Sequence, residues 1–378
     1  VGACLLAVGR GGEAPGFGAR VWALMAPAPV LARGEVIRVR VVRGADRVDV
    51  SGTGLVVQRG SDRLGLASPV EFCVLDDRLV ALCEGQGVDL GAAGDGADAA
   101  EPVRVTSFGG LRVDGRAVGH EVTVLASRSG RVDVVAHVDL ESYVAGVVAS
   151  ELYRGWPDEA FAAQAVAARS YALHERALAR GGAGRAWDIE GDTSRQAFTG
   201  LSSEAQAVRA ARETRGIVLS EGGEVLRAYY ASTCGGRSAG AAEHWPKDAG
   251  REFNASPALQ GFAFACPCED SPRYRWDRRL RKVELEARLR AWGARQGHAV
   301  REIEVLRTIR VWARNAHGRP TRFRVVDGAG GSFELSAEEM RLACNTVAPA
   351  ETVLLSVSEV TEDVADEVEE APPPRTGA

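Results

Sequence analysis

The sequence predicts an α+β protein in which a mixed β-sheet body carries an Ala-rich helical hairpin that lines a groove. Two observations lead to this prediction. Runs of alternating apolar and polar residues, separated by turn dipeptides such as Asp-Gly and Ser-Gly, fill much of residues 35–139 and are typical of hairpin-linked strands. These runs lead directly into residues 139–181, where apolar residues recur at helical spacing over two segments separated by a short loop.

The composition is that of a globular protein and narrows the classes of partner. The chain has 378 residues, of which 46% are hydrophobic and 26% are charged, and its formal net charge is −5. This length is sufficient for two or three packed units. No long basic stripe stands out, which argues against a nucleic-acid partner, whereas an uncharged glycan is compatible with this charge. No stretch approaches the roughly 20 apolar residues of a membrane span.

Changes in composition along the chain predict four regions. Residues 1–34 are rich in Gly, Ala and Pro and are predicted to form a leader or linker. Residues 35–100 are predicted to be a small β-rich N-terminal unit whose Gly-rich end is a flexible insert. Residues 101–356 are predicted to form the main domain, which contains the helical hairpin. Residues 357–378 are acidic and then Pro-rich, which is typical of a disordered tail.

The first predicted helix begins after Asp139, a favoured N-cap residue. At about 100° per residue, the positions i, i+4, i+7 and i+11 fall on one line, and these are Leu140, Val144, Val147 and Glu151. A carboxyl group therefore ends an apolar stripe, where burial and the negative end of the helix dipole both disfavour the charged form. This placement favours a general acid. The alternative is a surface glutamate paired with Arg154 or Arg169.

The second predicted helix begins at Pro157, because proline is favoured at the first helical position. Its inner face includes alanines that permit close approach to the first helix, and consists of Phe161, Gln164, Ala165, Ala168, Tyr171 and Ala172. Arg169 lies about one residue off this face. We therefore expect Glu151 to face a groove lined by Gln164, Arg169 and Tyr171.

The segments VAGVVASEL and WPDEAFAAQAVAARSYAL resemble the signature of the SpoIID/LytB family, which comprises stage II sporulation protein D and its relatives. The resemblance continues through residues 196–200, the TRGIVL strand and the AYYASTCGG run. It covers roughly residues 103–276 well and the rest weakly, and it makes residues 101–356 a SpoIID/LytB-like domain. Two features of the family pattern are missing. Residues 187–196 lack the Cys and His that bind a metal in some members, and no Gly-His-Gly-rich motif follows the last predicted strand.

The resemblance implies a peptidoglycan lytic transglycosylase that acts on glycan strands stripped of their stem peptides, with Glu151 as its single catalytic residue. Hydrolytic glycosidases usually need two carboxylates. One group is sufficient when the 6-hydroxyl of the sugar attacks in place of water and leaves a 1,6-anhydro end. The predicted substrate-binding residues are Gln164, Arg169, Tyr171, Gln196, Ser232 and Thr233.

LytB-type relatives provide an alternative function, because they are described as amidase enhancers. The protein would then be a non-catalytic cell-wall binding module or an activator of an N-acetylmuramoyl amidase. In either case the implied location is extracytoplasmic, in the periplasm or cell envelope. Residues 1–4 end in Cys4 and resemble the end of a lipoprotein signal, although an ordinary fragment boundary explains them equally well. Membrane attachment is expected only if Cys4 is lipidated.

Seven cysteines allow either disulfides or a metal site. Cys234, Cys266 and Cys268 could hold a structural zinc, for which thiolate and imidazole are preferred ligands, or Cys234 could form a disulfide with one of the other two. The predicted reaction requires no cofactor. Cys73 and Cys83 are predicted either to close a hairpin by a disulfide or to be buried free thiols.

Overall fold

The structure is a computed structural model that describes residues 34–94, 101–182, 185–192, 196–231, 233, 238–245, 247, 249–261, 269–271, 274–275, 279–346 and 360. The chain divides between residues 233 and 234 into two compact units, called unit 1 and unit 2 in chain order. The predicted α+β class is confirmed. Almost all of the predicted leader and tail lies outside the described residues, and so do the last six residues of the predicted insert.

Unit 1 is built on one eleven-stranded sheet. Its strands are β1 (Val36–Ala45), β2 (Arg47–Gly52), β3 (Leu55–Arg59), β4 (Asp62–Leu66), β5 (Val70–Leu75), β6 (Arg78–Cys83), β7 (Gln86–Ala92), β8 (Val103–Val113), β9 (Arg116–Ala126), β10 (Val132–Asp139) and β11 (Ile189–Glu190). The main path runs β11-β1-β10-β9-β8-β2-β5-β6-β7, and β3 pairs with β8 and β4. The predicted domain boundary at residues 100/101 falls between β7 and β8 within this sheet, and it stays a prediction.

The side chains of β1 show why these sequences form half-buried strands. Ile37 and Val39 are fully buried in the core, while the intervening Arg38 and Arg40 point to the polar face. β10 runs antiparallel to β1 with Arg38 opposite His137, so the polar positions of both strands share one face.

The turn between β8 and β9 follows directly from two residues. Asp114 and Gly115 have φ of 46° and 77°, the left-handed conformation that both central residues of a type I′ turn require. The Asp-Gly dipeptide therefore fixes this hairpin locally, as predicted.

Three helices pack on the apolar face of the sheet. They are α1 (Leu140–Glu151), α2 (Asp158–Gly181) and α3 (Ala205–Glu213), and a two-stranded hairpin of β12 (Ser220–Glu221) and β13 (Glu224–Val225) follows them. The carboxylate of Asp139 caps α1 by accepting a hydrogen bond from the backbone N–H of Ser142 at 3.0 Å. α2 begins at Asp158, one residue later than predicted, and Pro157 is its N-cap residue. All six residues predicted for the inner face of α2 are buried.

Unit 2 has its own core and a smaller antiparallel sheet. Its elements are α4 (Ala241–His244), two short 3₁₀ helices (Glu252–Ala255 and Pro257–Leu259), α5 (Lys282–Gln296), a third 3₁₀ helix (Ala299–Glu302), β14 (Leu306–Arg314), β15 (Pro320–Asp327), β16 (Ser332–Ser336) and α6 (Ala337–Asn345). The sheet order is β14-β15-β16. Ser336 and Glu339 form a capping box at the start of α6. Among the helices described, none has both the length and the apolar character needed to cross a membrane.

Candidate functional site

Glu151 is the last residue of α1, and its side chain is half-buried. Its Oε1 atom accepts hydrogen bonds from the backbone N–H of Ala197 and from the hydroxyl of Tyr230, both at 3.2 Å. In the described part of the chain no hydrogen bond ends at Oε2. Both donors are neutral groups, so this carboxyl can lose or gain a proton without breaking an ion pair.

The backbone donor reaches Glu151 because residues 196–201 lie directly against α1. A Cβ atom at Gly146 would stand 2.6 Å from the carbonyl oxygen of Gly200, so glycine is required for this close approach. Two further contacts fix the alignment: the hydroxyls of Ser150 and Thr199 are 2.8 Å apart, and the stacked rings of Tyr143 and Phe198 have centroids 5.2 Å apart. The VAGVVASEL segment thus carries the carboxyl and also packs against residues 196–201, in which the backbone N–H of Ala197 donates to that carboxyl.

Tyr230 keeps its proton in this environment. Burial raises the pKa of Tyr230 well above its usual value, and the charge of Glu151 acts in the same direction, while a hydrogen bond with Gln196 opposes them. The phenol therefore stays a hydrogen-bond donor to Glu151 at acid and neutral pH.

Gln196 is buried and forms a hydrogen bond with Tyr230, while its predicted role in substrate binding stays a prediction. Its Oε1 accepts a hydrogen bond from the hydroxyl of Tyr143 at 3.0 Å, and its Nε2 donates to the carbonyl of Ala168 at 3.3 Å. Gln196 thus joins α1 and α2 at the level of the candidate acid.

Gln164 is fully buried on α2, and within the described residues neither its amide nitrogen nor its amide oxygen has a hydrogen-bond partner. A buried amide without partners costs about 1–3 kcal/mol. The predicted inner-face position is therefore confirmed, while its role in substrate binding stays a prediction.

Arg169 is placed away from solvent, with no exposed surface. Its guanidinium donates to both carboxylate oxygens of Glu141, at 3.0 and 2.6 Å, and to the carbonyls of Ala211 and Ile217. Arg169 thus pairs with Glu141 and not with Glu151, and it connects α1, α2 and the segment after α3. Because Arg169 is not exposed, any effect of its substitution on substrate binding would be indirect, through the positions of these helices.

Tyr171 is also buried, with 5% of its surface exposed. Its hydroxyl accepts a hydrogen bond from Arg227 at 3.0 Å, and its ring meets Tyr229 edge-on. The structure therefore brings Gln196 together with Glu151, and it places Arg169 and Tyr171 in polar networks of their own.

Comparison with known protein families gives a sequence match for part of unit 1. Residues 128–220 match the SpoIID family, described as Stage II sporulation protein. This segment belongs to the SpoIID family. The SpoIID segment contains Glu151, and the predicted resemblance is thereby confirmed. A cell-wall-related role follows from the family.

A curated relative of the chain is an uncharacterized protein of Brachyspira hyodysenteriae, 33% identical over 106 residues. The aligned stretch covers 28% of this chain and 28% of that protein. The chain thus spans less than a third of the length of the curated relative that it matches.

Tyr230 lies beyond the SpoIID segment and was not among the predicted site residues. The sequence signal for it is the AYYAST run, in which two adjacent tyrosines precede Ser232 and Thr233. Alternation along an extended segment puts the two rings on opposite sides, but nothing local decides which one meets Glu151. Thr233 is half-buried at the end of unit 1, whereas Ser232 lies outside the described residues.

The predicted zinc or disulfide cysteines, Cys234, Cys266 and Cys268, also lie outside the described residues. Within the stretches that the structure describes, no three or more His, Cys, Asp or Glu side chains are grouped to hold a metal. Cys73 is a buried free thiol and Cys83 is a half-buried one, so these two do not form the alternative disulfide.

A cavity of about 550 Å³ lies at the opposite end of α1 from Glu151. Its lining includes Arg38, His137, Asp139, Ser142 and Arg180. At 1.5 Å per residue, the nine residues from Ser142 to Glu151 span about 14 Å. The predicted groove beside Glu151 is therefore distinct from this cavity and stays a prediction.

Proposed function

We propose that the protein is a peptidoglycan lytic transglycosylase that cleaves denuded glycan strands and uses Glu151 first as acid and then as base. The observation that carries the proposal is the pair of neutral donors at Oε1 of a carboxyl that lies in the SpoIID segment. Transfer of a proton from such a carboxyl breaks no ion pair, whereas transfer to a carboxylate paired with a guanidinium does.

The proposed reaction transfers one proton in each direction. Because Oε1 already accepts two hydrogen bonds, the acid form carries its proton on Oε2. In the first step this proton passes to the glycosidic oxygen as the bond from that oxygen to C1 breaks. In the second step the 6-hydroxyl oxygen of the muramic acid bonds to C1, and its proton returns to Glu151. The product is a 1,6-anhydro end, and no water is consumed.

Ala197 and Tyr230 support both steps. Their hydrogen bonds stabilise the carboxylate that forms when the proton leaves, and they hold the side chain in one orientation. Since burial keeps Tyr230 protonated, it can act as donor before and after the transfer. Tyr230 is thus a positioning residue in this proposal, and Glu151 is the catalytic one.

The proposal implies where the protein works and what it needs. Peptidoglycan lies outside the cytoplasmic membrane, so the expected location is the periplasm or cell envelope, with a lipid anchor if Cys4 is acylated. The chemistry needs no cofactor, and a zinc bound by the later cysteines would be structural.

The alternative, a cell-wall binding module or amidase activator without turnover, is supported by a different observation. The cavity of about 550 Å³ lies at the other end of α1 from Glu151. A protein that only binds a ligand there would need no proton transfer at Glu151.

Digestion of purified denuded glycan tests the proposal. Mass spectrometry should find 1,6-anhydromuramic ends with the wild type and, since acid–base catalysis contributes about 10²–10⁴-fold, a loss of that size for Glu151→Gln. Circular dichroism of the variant controls for folding. Incorporation of ¹⁸O from labelled water into the new ends would instead indicate hydrolysis, and wild-type activity in the variant would remove Glu151 from the mechanism.

A further inference from the structure

The sheet of unit 2 has two different faces. One face belongs to the core, and its buried residues are Ile309, Phe323, Val325 and Leu335. The alternate positions of the same strands form a second face, which we call the arginine face and define as Arg310, Trp312, Arg322, Arg324 and Glu334. Nothing in the proposed chemistry of Glu151 uses this face.

The centre of the arginine face is a stacked pair. Arg310 on β14 stands opposite Arg324 on β15, and Arg324 stands opposite Glu334 on β16. The guanidinium carbon of Arg324 lies 3.0 Å from the ring centroid of Trp312, and its Nη2 donates to Glu334 at 2.7 Å. Arg324 therefore holds the indole in a fixed orientation.

The remaining groups face solvent. Trp312 keeps 51% of its surface exposed, and Arg310 and Arg322 are exposed and make no ion pair within the part of the chain that the structure describes. The arginine face contains three guanidiniums and one carboxylate, so its net charge is positive although the whole chain carries a net charge of −5. A fixed aromatic ring suits the flat face of a sugar, and guanidinium forks suit carboxylates.

We propose that the arginine face binds denuded glycan strands through the free lactyl carboxylates of their muramic acid residues. The identity of the polymer rests on the proposed function. In an intact strand the lactyl carboxyl is joined to the stem peptide as a neutral amide, and removal of the peptide leaves one carboxylate in every disaccharide. Arg310 and Arg322 bind these carboxylates, and Trp312 stacks on an adjacent ring. The face thereby distinguishes denuded strands from peptide-bearing ones by the position of the carboxylate, which in a denuded strand lies next to the sugar ring that Trp312 contacts.

Binding of denuded glycan to the full chain carrying Glu151→Gln tests the inference without turnover. We expect the added double substitution Arg310→Gln/Arg322→Gln to weaken binding by about tenfold, because two charge-assisted contacts are lost. The unmodified face should bind glycan whose carboxylates have been converted to methylamides equally weakly. A matched control, Arg43→Gln/Arg63→Gln, removes two exposed arginines from unit 1 and should leave binding unchanged. Trp312→Leu should weaken binding several-fold.

Three outcomes would overturn the inference. The double variant could bind within twofold of its parent, polyglutamate of equal charge could compete as well as the glycan, or binding could require removal of the acidic residues 361–378. The glycan with methylamides tests the inference even if a variant fails to fold. The binding experiment does not measure cleavage. Absence of anhydro ends in the separate digestion experiment would therefore count against the proposed function alone.

Discussion

Two carboxylates of unit 1 differ in the partners that the fold gives them. Asp188 has no exposed side-chain surface and accepts hydrogen bonds from the guanidiniums of Arg38 and Arg180 and from the backbone N–H of Arg38. Glu151 is half-buried and accepts from a backbone amide and a phenol. Under the proposed function, the charge of the donors, and not burial, distinguishes the catalytic carboxyl from the structural one.

The same contrast is visible in the electrostatics of Asp188. Burial by itself would raise the pKa of this carboxyl, but hydrogen bonds from Arg38 and Arg180 outweigh burial and hold its pKa below the usual value. Asp188 is thus fixed as an anion and stabilises the fold. The ion pair between Glu141 and Arg169 is a second structural pair of unit 1. We expect substitutions at such pairs to change stability, and substitutions around Glu151 to change turnover.

The largest expected effect on stability is at Arg169. The Arg169→Met substitution keeps the length of the side chain but leaves the largely buried carboxylate of Glu141 without its cation, which should cost about 3–5 kcal/mol of the free energy of unfolding. Urea denaturation at pH 7 measures it. Arg209→Met is the matched control, because Arg209 pairs with the exposed Asp158 and its loss should change the free energy of unfolding far less. Equal losses would contradict the distinction between buried and exposed pairs.

A smaller effect, with a defined pH dependence, is expected at Asp188. Asp188→Asn should lower the free energy of unfolding at pH 7 by roughly 2–3 kcal/mol, because two guanidiniums lose their anion. Since the folded pKa of Asp188 is depressed, its contribution is fully present above the unfolded value of about 3.9 and is lost as pH falls through the folded value. Denaturation curves of wild type and variant should therefore converge below pH 4. A constant difference down to pH 2.5 would show that Asp188 does not titrate as proposed.

The elements that could be predicted from the sequence are those with local signals. The cap at Asp139, the Asp114-Gly115 turn and the capping box at Ser336 each depend on residues within three or four positions. The pairing of β2 with β5 and β8 could not be predicted, because the register of distant strands leaves no local trace. Local patterns therefore do not reveal that β7 and β8, on either side of the boundary predicted at residues 100/101, belong to one sheet.

The candidate site also combines features that the local sequence predicts with features that depend on tertiary packing. Helical spacing placed Glu151 at the end of an apolar stripe, and the family resemblance extends through Gln196, but the contact of Gln196 with Tyr230 could not be predicted. The partner of Arg169 could not be deduced, because Glu141 lies 28 residues away on another helix. The choice of Tyr230 over Tyr229 likewise depends on how the segment after β13 packs against α1, which is a tertiary property.

The smallest expected effect is on turnover at Tyr230. Tyr230→Phe removes the hydroxyl that donates to Oε1 of Glu151, and the loss of one hydrogen bond of about 1 kcal/mol should slow release of anhydro ends roughly fivefold. The effect should fall on kcat rather than on KM, because the phenol acts through Glu151 and not on the sugar. Tyr229→Phe is the matched control: its hydroxyl accepts from Arg227 instead, so the rate should stay unchanged. If the two variants lose equal activity, neutral donors at Glu151 have no special part in the reaction, and the contrast with Asp188 would reflect packing alone.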